Sequence, residues 1–146
     1  MVQDDNALRR TDGANMPRLP LLFIALYFAF GGISHFANPQ FFTAMMPDYL
    51  PYHAELVAIT GVFELLGAVG ILLARTRLAA GYCLIAFMLA VLPVHIHMSV
   101  NAQHFSDIPA LVLHFRIALQ FVFIAFVWWA ISPERKSENI IQKTVK

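Results

Sequence analysis

Apolar residues in this chain do not alternate with polar ones over most of its length. They run. Between Arg18 and Asp48 lie 29 residues without Asp, Glu, Lys or Arg, and between Arg77 and Asp107 lie another 29. Glu64 is the only charge between Glu55 and Arg75, and residues 117–133 carry none. A helix crossing about 30 Å of hydrocarbon needs roughly 20 mainly apolar residues. The pattern predicts four such helices, near 19–35, 56–74, 78–100 and 109–131. Barrel strands would show alternation, which is missing. A soluble core helix would keep a polar face, and LLFIALYFAFGG and LVLHFRIALQFVFIAFVWWA show little of one. The expected fold is all-α, an integral membrane four-helix bundle.

Charge then orients the bundle. Arg9, Arg10 and Arg18 precede the first apolar run, Arg75 and Arg77 separate the second from the third, and Arg135, Lys136, Lys143 and Lys146 follow the fourth. The other two links carry no Lys or Arg. Under the positive-inside rule this alternation predicts both termini cytoplasmic. A cleaved leader is the competing reading of residues 1–34, but no clean A-x-A site follows them. The organisation is therefore a polar tail (1–18), a four-span domain (19–131) and a second polar tail (132–146). The link at 38–52 is rich in Phe, Met and Tyr and is broken by Pro39, Pro47 and Pro51. It reads as one or two helical turns at the bundle mouth, serving as an interfacial anchor or a lid.

Composition narrows the function classes. Of 146 residues, 59% are hydrophobic and 13% charged, against about 45–50% and 25% in soluble domains. That much apolar surface excludes a disordered chain. One cysteine excludes an intramolecular disulfide, and Cys83 reads as a core residue. A net charge of +1 makes no case for nucleic acid. C-x-x-C, H-E-x-x-H, G-x-S-x-G and a phosphate-binding glycine loop are all missing. Trp128 and Trp129 fall where an aromatic belt is expected.

Candidate chemistry lies in the polar residues within the apolar runs. Glu64 and Arg116 each cost roughly 2.5–3.5 kcal/mol if exposed to lipid. Counted from the outer boundaries of their spans they lie about 14 Å and 11 Å deep at 1.5 Å per residue. The matching depths predict a buried Glu64–Arg116 pair, read either as an architectural ion pair or as the charged centre of a site. Gly61 shares the Glu64 face and admits a close helix or a flat ligand. Gln120 lies one turn from Arg116 and bonds either across the bundle or to a bound carbonyl. All six histidines fall on the outer half: His35, His53, His95, His97, His104 and His114. They read as polar helix ends or as the lining of an outward pocket that relays protons. His95 and His97 do not share a helical face, so a metal would need further ligands and a helix break, which Pro93 could supply. No metal site is assigned, and haem is the weaker reading because the c-type attachment motif is missing.

These features together resemble the DoxX-like family of small bacterial membrane proteins. The resemblance rests on GGISHFANPQFF (31–42), MPDYLPY (46–52), ITGVFELLGAVGILL (59–73), VLPVHIHMSV (91–100) and Arg116 with Gln120. Pro93-Val94-His95-Ile96 stands where a common family pattern has Pro-Ala-Asn-Ile. The resemblance implies a four-helix protein of the bacterial inner membrane and, from the subunit that names the family, a link to quinone and to a partner subunit. Three functions are expected to compete. The leading one is a non-catalytic scaffold, assembly or partner-binding subunit, with the Glu64–Arg116 pair fixing helix register. The second is a quinone-linked redox component acting with a membrane or redox partner protein. The third is a small-solute or proton-coupled transporter, dimeric through its small-residue faces. The candidate polar site for all three is Glu64, Arg116, Gln120, His35, His95, His97 and His114.

Overall fold

The computed structural model describes residues 19–105 and 108–133. They form α1 (Leu19–Ala37), a short α2 (Pro39–Thr43), α3 (His53–Leu72), α4 (Arg77–Val100), a 3-10 turn (Ala102–His104) and α5 (Ala110–Ala130). Among the described residues there is no strand. The four long helices are each long and apolar enough to cross a membrane. Most of the polar tails at 1–18 and 132–146, including their arginines and lysines, lies outside the described residues.

Caps set the helix ends where hydrophobicity alone did not. α3 begins at His53, three residues before the expected 56. Tyr52, just after Pro51, takes a left-handed backbone (φ 60) that turns the chain into the helix. Glu55 then complements the positive helix N-terminus. The same helix stops at Leu72, not 74, because Leu73 is extended (ψ 121). Its last carbonyls are met from the link: Thr76 Oγ1 donates to the Gly70 carbonyl (2.8 Å), and Arg77 Nε donates to that of Ile71 (3.1 Å). α4 runs unbroken through Pro93.

Small residues set which helices touch. A methyl on Gly32 would meet the Gly61 carbonyl oxygen at 2.8 Å, and one on Gly61 would meet His35 Cβ at 2.9 Å. The α1 and α3 backbones therefore pass closely at this crossing, as small-residue contacts in apolar bundles do. Gly67 admits Leu84 between α3 and α4, and Gly81 admits Ile131 beyond the end of α5. A Cβ added at any described glycine would meet atoms of another part of the chain closely.

Around the bundle the order is α1, α3, α4, α5, with α1 touching α5 only sparsely. α3 and α5 therefore sit diagonally. Two packed regions hold the bundle. The larger, at the end carrying the Arg75–Arg77 link, includes Ile24, Phe28, Ile71, Leu84, Phe123 and Val127. A smaller one at the histidine end joins Met45, Met98 and Leu113. Outward faces are apolar: Phe30 is 77% exposed and Leu111 80%. Cys83 is also exposed, contrary to its reading as core, because its neighbour Leu84 takes the inward position.

Candidate functional site

Between the two packed regions lies a cavity of about 420 Å³, within the range of small-molecule sites. All four long helices contribute to it, and α2 with the following turn lies across its histidine end. That cover follows from local rules. Asn38 Oδ1 caps α2 by accepting from the Phe41 amide (3.4 Å), and Pro39 occupies the first turn, where its missing N–H costs nothing. His53 Nε2 donates to the Pro47 carbonyl (3.1 Å) and ties the turn back to α3. Phe41, Phe42, Met45 and Met46 all line the cavity. The link at 38–52 is therefore placed as a cover, whichever other role its aromatics serve.

Glu64 is the deepest anionic group on this wall. Gly31 makes room for it: a methyl at Gly31 would lie 2.5 Å from Glu64 Oε2. That oxygen is buried and accepts no hydrogen bond among the described residues. Its neighbour is His35, whose Nε2 stands 3.8 Å away, beyond hydrogen-bond range. The other side of the ring is held. Thr60 Oγ1 donates its one hydrogen to the Val57 carbonyl (2.9 Å) and meets His35 Nδ1 at 3.3 Å. Thr60 can then only accept from Nδ1, so Nδ1 carries a hydrogen. A neutral His35 presents a lone pair at Nε2, as an ionised Glu64 does at Oε2. One proton, on either atom, makes the two attract. His35 and Glu64 stand side by side as a dyad on the cavity wall.

Arg116 does not complete an ion pair with Glu64. It makes no direct hydrogen bond or ion pair among the described residues. Depth had predicted the pair, but α3 and α5 are diagonal, and the cavity lies between the two groups. His95 lines the same cavity, with Nδ1 buried and without a hydrogen-bond partner among the described residues. Gln120 takes the first of its two expected roles: its Nε2 donates across the bundle to the Met88 carbonyl (2.7 Å), in the stretch of α4 before Pro93.

Two expected site residues stand apart. His97 meets Asn101 Nδ2 through its own Nδ1 (3.2 Å), and Asn101 also donates to the His97 carbonyl. His114 is exposed and donates from Nδ1 to the Ala110 carbonyl. Both serve local helix ends and do not line the cavity. Among the described residues no three potential metal ligands gather. Sequence reasoning missed Thr60, Gly31 and Tyr27. Thr60 was legible, since it lies one turn before Glu64 on the same face. Tyr27, one turn before Gly31, lines the cavity and lies within electrostatic reach of both Glu64 and Arg116.

A family model described as Domain of unknown function (DUF8561) matches residues 24–131. No curated protein and no solved structure matches the chain.

Proposed function

Starting from a chain that belongs to the DUF8561 family, we propose a quinone-binding component of the bacterial inner membrane, working with a redox partner protein. The observation that carries this reading is the convergence of unsatisfied groups on one cavity. Among the described residues Glu64 Oε2 and His95 Nδ1 are buried without hydrogen bonds and Arg116 makes no direct hydrogen bond or ion pair, yet all three line the same space. Buried polar atoms are ordinarily paired, so a site holding several unpaired ones suits a polar ligand. The scaffold reading gave a Glu64–Arg116 pair the task of fixing helix register, and no direct ion pair joins the two among the described residues. A quinone head suits the space because it is flat, apolar on its faces and carries two carbonyl acceptors.

Four apolar helices with outward apolar faces support insertion in a bilayer. The placement of Lys and Arg supports both termini in the cytoplasm, with the histidine end outermost. The DoxX-like resemblance supports the same membrane and the same ligand class.

The chemistry assigned to the chain is proton handling. Reducing a quinone to a quinol takes two electrons and two protons. The electrons come from the partner protein. The His35–Glu64 dyad delivers one proton to a carbonyl oxygen, and its replacement enters from the histidine end. Arg116 stabilises negative charge gained at the second oxygen before the second proton arrives. Native mass spectrometry of chain extracted gently from its own membrane tests the reading. A quinone adduct is expected in the wild type, with occupancy falling in Glu64→Gln and Arg116→Gln. A chain carrying only ordinary lipid or only another protein overturns it.

A further inference from the structure

A second run of surface adjoins the polar cavity. It is a groove of about 310 Å³ between α1 and α5, lined by Phe23, Tyr27, Leu119, Val122, Phe123 and Phe126. Tyr27, Leu119 and Phe123 line both spaces, so the groove continues the cavity. The two differ in chemistry. Every charged group is in the cavity, whereas the groove is built from aromatic and aliphatic side chains, with the Tyr27 hydroxyl as its one polar side-chain group.

The seam is also where the bundle wall is thinnest. α1 and α5 are neighbours in the ring but share few close approaches. What joins them is a set of rings: Tyr27 and Phe123 lie 4.3 Å apart between centroids, Phe28 and Phe123 5.8 Å, and Phe23 and Phe126 6.0 Å. Toward the histidine end this ring cluster stops. There Phe30 and Leu119 border the cavity while being 77% and 42% exposed on the outer face of the bundle. Residues that line a cavity and also face outward mark an opening through the side of the bundle.

Resting on the quinone reading, we infer that the ligand is a long-tailed, membrane-dissolved quinone. Its head occupies the cavity and its apolar tail lies in the α1–α5 groove, and it enters sideways from the bilayer between Phe30 and Leu119. The occupant is committed by continuity: a groove opening off the cavity at Tyr27 and Phe123 suits the part of the same molecule that leaves the head. Lateral entry follows from the same surfaces. A molecule dissolved in hydrocarbon reaches the head site without crossing water, and the α2 cover need not open.

Val122 offers a selective test, since it lines the groove, not the cavity, and is 64% exposed. Its replacement by tryptophan fills the groove while leaving the packed regions alone. Wild type and Val122→Trp, each in lipid nanodiscs, are titrated with a quinone bearing a long isoprenoid tail and with the same head lacking the tail. The expected result is about a tenfold loss of long-tailed binding in the variant, about 1.4 kcal/mol, with tail-less binding unchanged. If both quinones bind and Val122→Trp weakens neither, the groove is not the tail site, although the quinone reading survives. If neither binds wild type, both readings fall together. A long-tailed quinone carrying a diazirine on its tail gives a check independent of the variant. Cross-links on wild type are expected at Phe23, Val122 or Phe126, and cross-links confined to other helices overturn the placement.

Discussion

Two adjacent glycines make opposite demands on the same small change. Replacing Gly31 with alanine places a methyl 2.5 Å from Glu64 Oε2, 3.3 Å from its Cδ and 3.5 Å from its Oε1. Relaxed contacts lie near 3.5–4.0 Å, so the carboxyl must retreat by about 1 Å. It can, being the far end of a flexible side chain, and alanine also favours the helix by about 0.8–1 kcal/mol. Gly31→Ala is therefore expected to melt at or slightly above the wild-type temperature while pushing Glu64 off its place beside His35. Gly32→Ala differs. Its methyl lies 2.8 Å from the Gly61 carbonyl oxygen and 2.8 Å from Leu65 Cγ. A backbone carbonyl cannot rotate away, so α1 and α3 must separate, at the roughly 1–3 kcal/mol typical of overpacking. Less the helix gain, a net loss of up to about 2 kcal/mol remains. At about 2–4 °C per kcal/mol for a chain of this size, the melting midpoint falls by several degrees. Circular dichroism melting in one detergent measures the first effect, and quinone occupancy by native mass spectrometry measures the second. The expected split is normal melting with at least about tenfold weaker binding for Gly31→Ala, and early melting for Gly32→Ala. If both variants melt early by the same amount, the assignment of Gly31 to the site and Gly32 to the crossing is refuted.

Further consequences follow from the same geometry. In a double-mutant cycle of Glu64→Gln and Arg116→Gln, unfolding should show coupling below about 0.5 kcal/mol, as for residues without direct contact; coupling above about 1 kcal/mol would restore the ion pair. Gln120→Leu should lower stability by about 0.5–1.5 kcal/mol through loss of the bond to the Met88 carbonyl, read from the unfolding midpoint, and an unchanged midpoint would show that the bond contributes nothing. Thr60→Val removes the acceptor that holds the His35 Nδ1 hydrogen, so nitrogen NMR of labelled histidine should show His35 shifting from one tautomer to a mixture; an unaltered spectrum would remove Thr60 from the dyad.

Much of the architecture was legible in the chain because it follows from local quantities. Apolar runs long enough to span hydrocarbon and nearly free of charge locate four long helices whose ends differ from expectation by three residues or fewer. Those differences arise where a cap decides: a left-handed Tyr52 before α3 and an extended Leu73 after it. Gly61 was recognisable as a point of close approach because a missing side chain beside a buried carboxylate has that meaning in any bundle. Glu64, Arg116, His35 and His95 were recognisable for a similar reason, since polar groups in an apolar run must find either a partner or a ligand.

Which partner each finds was not legible, because depth along a helix is a one-dimensional quantity and pairing is not. Glu64 and Arg116 lie at similar depths, but the ring order α1, α3, α4, α5 puts their helices on a diagonal with a cavity between them. The same order sets α1 beside α3, and so gives Glu64 to His35. Nor could the run of outward histidines separate members from bystanders. His35 and His95 reach the cavity, whereas His97 and His114 bond within their own turns, a choice made by the side of the helix that neighbours cover. The groove at Val122 is the furthest case. Its residues are ordinary apolar positions in sequence, and it exists only because two helices distant in the chain become neighbours that meet through rings at one level and part at the next. Hydrophobic length determined that there are four helices; the order in which they pack determined which charges meet and where the wall opens.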